Sequence, residues 1–320
     1  MTAPPALARL RGWLGGGVSR EFSGRRAVIG LPYLWLLVFF LLPFLILAKI
    51  SVSEMETVQF KDLLVYKDGL LQLTLKLGNY VFITQDELYW RTYVTSLKYA
   101  AVTTLLCLGI GYPFAYFMAR AKSTAQPALL MLVMLPFWTS FLLRVYAWKA
   151  LLSEHGWVAD ALMATGIDQL LAWGGLIPAP GKLMNTPFSL VLGMVYTYLP
   201  FMILPLYGNL AKMDLRLLEA AADLGATPWV AFWKVTVPLS KAGIIAGSML
   251  VFIPCVGEFV IPELLGGPET MMIGRTMWDE FFSNNDWPMA SAVAVVMILL
   301  IIVPLAVFNR YQAEAQEGRR

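Results

Sequence analysis

Five long stretches of this chain contain no charged residue, and this feature limits its fold more than any other. A sixth uncharged stretch, Ala242–Gly257, reaches membrane length only if Glu258 and Phe259–Pro262 are included. A spanning helix needs about 20 mostly apolar residues, so the sequence predicts six spans, the fifth of which carries a carboxylate. The five full-length stretches are Ala27–Ala48, Tyr99–Ala119, Ser123–Leu143, Leu183–Ala211 and Trp287–Asn309.

The composition agrees with a membrane protein and excludes two other classes. Charged residues make up 14% of the chain and hydrophobic residues 58%, whereas an ordinary soluble domain has about 25% charged residues. Such a chain is neither a soluble single-core domain nor intrinsically disordered. Because lipid offers no hydrogen bonds to the backbone, the spans are expected to be helices, and prolines inside them are tolerated. The predicted fold class is an all-α integral membrane protein with six transmembrane helices.

The distribution of Lys and Arg predicts the orientation. With the N-terminus inside, the short inner segments carry more basic residues than the outer ones, and the outer loops collect acids; this favours an N-in, C-in arrangement. Residues 5–14 read as a basic amphipathic helix or as part of a disordered tail. The predicted organisation is a cytoplasmic N-terminal tail (1–27), the first transmembrane helix (28–50), a periplasmic loop (51–94), a core with spans two to six (95–308) that includes an inner loop (212–240), and a cytoplasmic C-terminal tail (309–320).

Residue types that build many reactive sites are scarce. Two cysteines, Cys107 and Cys255, lie inside apolar runs, and His155 is the single histidine. We therefore expect no disulfide framework, no His-rich metal site and no cofactor. The net charge of +3 is too small to indicate a nucleic-acid partner, and basic residues at membrane edges account for it.

The loop after the fourth span is more patterned than a connector requires. Asp214 is placed to cap a helix that runs to Leu224, and Gly225 then permits a sharp turn. Thr227 is placed to cap a second helix with Pro228 at its first position, which we expect to end before Pro238. Small alanines on the first helix suit close approach by a partner; packing of the loop against its own bundle is the alternative.

The same loop resembles a known motif. Glu219-Ala220-Ala221, Gly225 and then Val235-x-Val237-Pro238 match the "EAA" loop of ATP-binding-cassette importer permeases, with valine at two positions where that motif has Ile and Leu. The resemblance implies that Glu219, Ala220, Ala221, Asp223, Gly225 and Pro238 belong to a coupling segment that docks on a cytoplasmic ATPase subunit. The chain itself lacks a GxxxxGK[ST] nucleotide site, so it is expected to be a transport subunit and not an enzyme.

The resemblance covers nearly the whole chain and points to polyamine permeases. It is carried by residues 135–148 (LPFWTSFLLRVYAW), by residues 247–267 (GSMLVFIPCVGEFVIPELLGG) and by Asp286-Trp287-Pro288. It implies a subunit of a bacterial inner-membrane importer for putrescine, with spermidine or another small solute as the alternative. The implied partners are two ATPase subunits, a second permease, expected to be a different chain, a periplasmic polyamine-binding protein and the lipid bilayer.

A polyamine pathway needs carboxylates and aromatic faces. Glu258 is the first candidate because an ionisable residue within a span is a functional hypothesis by default; a pair with Arg144, or a position at the outer water boundary, is the alternative. Four aromatic residues are candidates for lining the path, although core packing or a membrane-interface belt also explains aromatics of this kind. They are Trp138, Tyr146, Tyr196 and Tyr198.

Two further charged residues have open roles. Arg144 either pairs with an acid or touches the binding protein, and Glu263 either contacts the binding protein, attracts the cation or is solvated. In the 51–94 loop, Lys67-Asp68-Gly69 precedes an alternating stretch and predicts a small hairpin. Two other classes remain to be tested. A secondary transporter would leave the patterned inner loop unexplained, and a membrane enzyme would need a catalytic cluster that the sequence does not show.

Overall fold

The computed structural model describes residues 28–56, 59–60, 64–67, 70–73, 76–154 and 156–317. The chain divides into two compact units, residues 1–75 and residues 76–320. The expected amphipathic segment at residues 5–14 lies outside the described residues.

The first unit contains one long apolar helix followed by short strands. Helix α1 is long and apolar enough to cross a membrane. The antiparallel pairing of β3 with β4, in which Lys67 is opposite Leu70, confirms the hairpin predicted from the sequence. The bounds are α1 Val28–Ser51, β1 Met55–Glu56, β2 Gln59–Phe60, β3 Leu64–Lys67 and β4 Leu70–Leu73.

The second unit is helical throughout its described part, which agrees with the predicted fold class. A short 3₁₀ turn, Pro268–Thr270, precedes α13, and α13 continues into a π turn at Asp279–Ser283. The helices are α2 Gly78–Gln85, α3 Glu87–Arg120, α4 Gln126–Trp138, α5 Phe141–Leu151, α6 Trp157–Thr165, α7 Ile167–Trp173, α8 Pro187–Leu210, α9 Arg216–Asp223, α10 Pro228–Leu239, α11 Lys241–Val256, α12 Val260–Leu265, α13 Ile273–Trp278 and α14 Trp287–Glu317.

The described residues contain four candidate spans that are single helices and two that are bent helix pairs. Helices α1, α3, α8 and α14 are each long and apolar enough to cross a membrane. The helix pairs α4–α5 and α10–α11 pass the same test only when taken together, and they bend by 87° and 65°. Six spans, as predicted, are reached when each bent pair is counted as one.

The third span differs from the continuous Ser123–Leu143 helix that the sequence predicted. Its last turn tightens to a 3₁₀ helix around Pro136, and Thr139 then adopts an extended conformation. A proline cannot donate the backbone bond that would continue a regular helix. The Thr139 hydroxyl instead donates to the Pro136 carbonyl at 2.9 Å, and α5 starts in a new direction.

Helix α10 also corrects an expectation, because it continues past Pro238 and ends at Leu239. A π turn over Phe232–Thr236 precedes the proline, and Pro238 lies in the first turn of the α-helical segment that follows. A missing N–H costs little at that position. The bend toward α11 therefore occurs at Ser240, two residues later than expected.

Helices α3, α8 and α11 pack together into the main core of the unit. Helix α8 begins at Pro187 because Thr186 and Ser189 form a reciprocal capping box. Helix α3 begins at Glu87, before the predicted boundary at 95, because the Asp86 carboxylate accepts the Leu88 N–H at 2.8 Å. Fully buried residues of this core include Ala100, Cys107, Ala115, Leu190, Met194, Met202, Leu206, Val251 and Cys255.

Candidate functional site

Glu258 lies in the break between α11 and α12 and is only 9% exposed. Its Oε1 accepts the backbone N–H groups of Phe259 at 3.1 Å and Val260 at 3.0 Å. The Tyr198 hydroxyl of α8 donates to Oε2. The carboxylate thus satisfies two amides at the start of α12 that have no partner within the helix, and it stays anchored inside the bundle.

A close backbone approach fixes the position of this break. A Cβ atom on Gly274 of α13 would lie 2.5 Å from the Gly257 carbonyl oxygen and 2.6 Å from the Glu258 carbonyl oxygen. Only glycine leaves room for this contact. Helix α13 is itself held against α3, because the Ile273 N–H donates to the Ser96 hydroxyl at 2.7 Å. The glycine contact and this hydrogen bond set where the Glu258 backbone lies.

The four candidate path aromatics differ in their surroundings. Tyr198 is buried and bonded to Glu258, whereas the Tyr196 ring packs edge-on against Trp148 at 5.4 Å. Trp138 and Tyr146 are 68% and 52% exposed. In the described part of the chain, Trp138, Tyr146 and Tyr196 make no hydrogen bond with Glu258. The structure therefore brings one of the four candidates to the carboxylate.

Two aromatic residues that the sequence analysis did not single out extend the contacts of Tyr198. The Phe201 ring lies 6.1 Å from the Tyr198 ring and 5.1 Å from the Phe137 ring. The i, i+3 spacing of Tyr198 and Phe201 places both on one helix face and was the available sequence signal. That signal is weak in a chain with so many aromatics, and Phe137 comes from a different span.

Arg144 closes the bend between α4 and α5. Its guanidinium donates to the Pro136 carbonyl and to the Thr139 carbonyl, the second at 3.3 Å, and it lies 6.0 Å from the Phe137 ring centre. The pair with Glu258 that the sequence left open does not form. Within the described ranges no carboxylate lies within 4.0 Å of Arg144, so its partners are backbone carbonyls released by the proline turn.

Glu263 forms an ion pair in the structure. Its carboxylate lies 2.6 Å from Arg275 Nε, and the side chain is 51% exposed. The Asp279 carboxylate lies 4.0 Å from the same nitrogen. An exposed pair of this kind contributes about 1 kcal/mol or less, so it links α12 to α13 without rigidly fixing either helix.

Five of the six residues predicted for the coupling segment lie in α9 and the turn that follows it, which we call the coupling segment from here on; the sixth, Pro238, lies near the end of α10. Glu219, Ala220 and Asp223 are exposed, while Ala221 is half-buried. Gly225 has φ +82°, a conformation that favours glycine, and its N–H donates to the Ala222 carbonyl at 2.8 Å. The turn therefore ends α9 sharply.

The start of this segment and the start of the next helix are both capped. Asp214 Oδ1 accepts the Arg216 N–H at 3.0 Å, and the Thr227 hydroxyl accepts the Val230 N–H at 3.4 Å at the start of α10. The segment therefore has a defined helix–turn–helix shape.

Large apolar side chains are exposed on α9 and on the residues that follow it. Leu224 is 89% exposed, Trp229 70%, Trp233 53% and Leu217 47%. We call these four residues the coupling patch. Exposed apolar groups on a polar segment are typical of a surface that another protein covers.

The described residues contain no group of three or more His, Cys, Asp or Glu side chains that could hold a metal ion. The groups that the structure gathers at Glu258 are its hydrogen-bonded carboxylate and the Tyr198 hydroxyl.

Comparison with known proteins gives consistent results. Residues 108–315 match the family described as binding-protein-dependent transport system inner membrane component. The chain is 36% identical over 276 residues to the spermidine/putrescine transport system permease protein PotB of Escherichia coli K12, covering 86% of this chain and 93% of that protein. The PotB protein of Haemophilus influenzae is 35% identical over 92% of this chain and 96% of its own length.

A solved structure shows the same fold. It is a bacterial ABC transporter involved in the import of the acidic polysaccharide alginate, with a TM-score of 0.60 and coverage of 94% of this chain and 99% of that chain. The sequence identity is 17%, so this similarity concerns the fold alone.

Proposed function

Because this chain belongs to the family of binding-protein-dependent transport system inner membrane components, we propose that it is the permease subunit of an ATP-driven importer. The solute that we propose is a polyamine, putrescine in particular, which the importer carries into the bacterial cytoplasm. Members of this family are transport subunits, so the energy source is a separate ATPase. Similarity to the PotB proteins, which are named for spermidine and putrescine transport, supports the polyamine class. The resemblance of residues 247–267 and 286–288 to putrescine permeases supports the narrower choice.

The observation that carries the proposal is the Glu258 carboxylate. It lies in a break of a bent apolar span, is 9% exposed, and has hydrogen-bond donors but no cationic partner among the described side chains. An ionisable group in a span is costly and marks a substrate pathway by default. In this proposal the ammonium group of a passing polyamine pairs with the Glu258 carboxylate, as no lysine or arginine of the described residues does.

We propose that the coupling segment binds to one subunit of an ATPase pair. Its exposed Glu219 and Asp223 and the coupling patch form a mixed polar and apolar surface suited to a groove on a partner. The complete importer would contain two ATPase subunits, a second, different permease and a periplasmic binding protein. In the N-in, C-in orientation the 212–240 loop faces the cytoplasm, where the ATPase lies.

In this mechanism the ATPase pair closes on ATP and pushes α9. The motion passes through α10 and the bend at Ser240 into α11, whose other end carries the break at Glu258. The bundle opens outward, receives solute from the binding protein, and returns to the inward-facing state after hydrolysis. Two distant sites are thereby coupled through one bistable set of helices.

A solute panel tests the substrate assignment. We expect the complete transporter in proteoliposomes, supplied with its binding protein and ATP, to import putrescine faster than spermidine and to leave the neutral analogue 1,4-butanediol outside. Faster spermidine import would favour the alternative polyamine. Import of neutral solutes without any diamine would overturn the proposal, because Glu258 would then have no cation to bind.

A further inference from the structure

A row of aromatic rings leads from the Glu258 break to the surface. The ring of Phe259 stacks almost flat on Trp278, with centroids 4.5 Å apart and planes at 11°. From Trp278 the next ring is Phe282, at 4.1 Å, followed by Phe281 at 4.8 Å. Trp287 stacks on Phe281 at 6.0 Å. These five residues, which we call the aromatic track, form one continuous set of ring contacts.

The π turn after α13 arranges the outer part of the track. Trp278 and Phe282 are four residues apart and share a helix face, while the wider turn over Asp279–Ser283 lets Phe281 contact both Phe282 and Trp287. Three rings of the track are partly exposed, since Trp278, Phe281 and Phe282 are 42%, 42% and 55% exposed.

The inner end of the track is Phe259, the residue next to Glu258. Phe259 donates its own N–H to Glu258 Oε1 at 3.1 Å, so the first ring and the anion belong to neighbouring residues. The track therefore starts at the residue that follows Glu258 in the chain and whose backbone N–H contacts the carboxylate.

An anchored carboxylate accompanies the rings at the outer end. Glu280 Oε1 accepts the Tyr89 hydroxyl at 2.7 Å, and its Oε2 accepts the Asn284 amide at 2.9 Å. Both oxygens are thus held in place, yet no lysine or arginine in the described ranges lies within 4.0 Å of them. The neighbouring Asp279 lies at 4.0 Å from Arg275. The turn combines fixed negative charge with exposed ring surface.

We propose that the aromatic track and Glu280 form an access path for linear aliphatic ammonium cations, from the outer surface to Glu258. The proposal deepens the proposed function and rests on it. Cation–π contacts are weak individually, and a series of weak sites lets an ion both bind and move on.

Replacing the ring but keeping apolar bulk tests the path. In the complete transporter, at saturating loaded binding protein, we expect Trp278→Leu and Phe282→Leu to lower the putrescine imported per ATP hydrolysed about threefold to tenfold. The putrescine imported per ATP by Trp278→Phe should remain within about twofold of that of the unchanged protein, because phenylalanine keeps an aromatic face. Glu280→Gln should lower the putrescine imported per ATP hydrolysed by a similar factor to the leucine variants. ATPase stimulation by the loaded binding protein reports that the complex has assembled.

Trp90→Leu is the matched control. Trp90 is 69% exposed near the start of α3, at the same end of the bundle as Glu280, and it lies outside the track. Three results would overturn the path. The putrescine imported per ATP could stay unchanged in the leucine variants, or it could fall as much in Trp90→Leu. The leucine variants could also lose ATPase stimulation while the putrescine imported per ATP stays unchanged. If the unchanged protein imports no diamine, the proposed function fails and the path fails with it; if it does import diamine, the variants judge the path alone.

Discussion

Uptake is expected to fall about 30-fold or more when Glu219 is replaced by lysine, while the membrane bundle stays folded. The side chain is exposed in the first turn of α9, so the fold of this chain does not depend on it. A reversed charge inside a docked interface costs about 2–5 kcal/mol, and each 1.4 kcal/mol is a tenfold change. The measurement is ATP-driven uptake in proteoliposomes, together with ATPase stimulation by the loaded binding protein.

Asp160→Lys is the control for this charge reversal. Asp160 is also exposed and also lies in the first turn of a short helix, α6, but α6 precedes the fourth span and α9 follows it, so the two face opposite sides of the membrane. We expect normal uptake from the control. Normal uptake and normal stimulation in Glu219→Lys would contradict the docking role of α9.

Loss of the Glu258 charge is expected to reduce polyamine uptake about 5- to 30-fold. In Glu258→Gln the side-chain oxygen still accepts the Phe259 and Val260 amides, so the break keeps its cap. What disappears is the charge, and hydrogen bonds to charged groups are stronger than neutral ones by about 1–2 kcal/mol. Assembly and ATPase stimulation should persist, which separates a pathway role from a folding role.

The matched control uses the other deeply buried carboxyl in the described part of the chain. Asp168 of α7 is 5% exposed and is remote in sequence from the path residues. Asp168→Asn makes the same chemical change, and we expect uptake within about twofold of normal. Equal losses in the two variants would point to a general effect of removing buried charge. Unchanged uptake kinetics in Glu258→Gln would remove Glu258 from the path.

The sequence predicted the parts of this molecule that depend on local physics. Uncharged runs of membrane length located the helices, and Gly225 and Thr227-Pro228 located the turn and cap after α9 because these residues have strong backbone preferences. The hairpin at residues 64–73 followed from a turn signal between apolar stretches. Glu258 was noticeable because a carboxylate is rare within an apolar run.

The parts that escaped prediction depend on contacts between distant segments. Nothing in the order of residues indicates that Tyr198 reaches Glu258, or that Phe259 stacks on Trp278. Proline also has an ambiguous meaning in a membrane helix: it accompanies a sharp bend near Pro136, whereas the helix continues through Pro238. The outcome depends on which neighbouring groups satisfy the freed carbonyls, and at Pro136 one of those groups is the Arg144 side chain.

The central claim is that another polypeptide grips α9 and moves the bundle, and cysteine cross-linking tests it most directly. Ala222→Cys places an accessible thiol on α9, where Ala222 is exposed. The natural Cys107 and Cys255 are buried, so they do not compete for the reagent. Asp160→Cys is the control on the opposite side of the membrane. The account predicts that Ala222→Cys cross-links to the ATPase subunit, with a yield that changes on adding ATP, and that Asp160→Cys does not. No cross-link from Ala222→Cys in a complex that transports normally would contradict it.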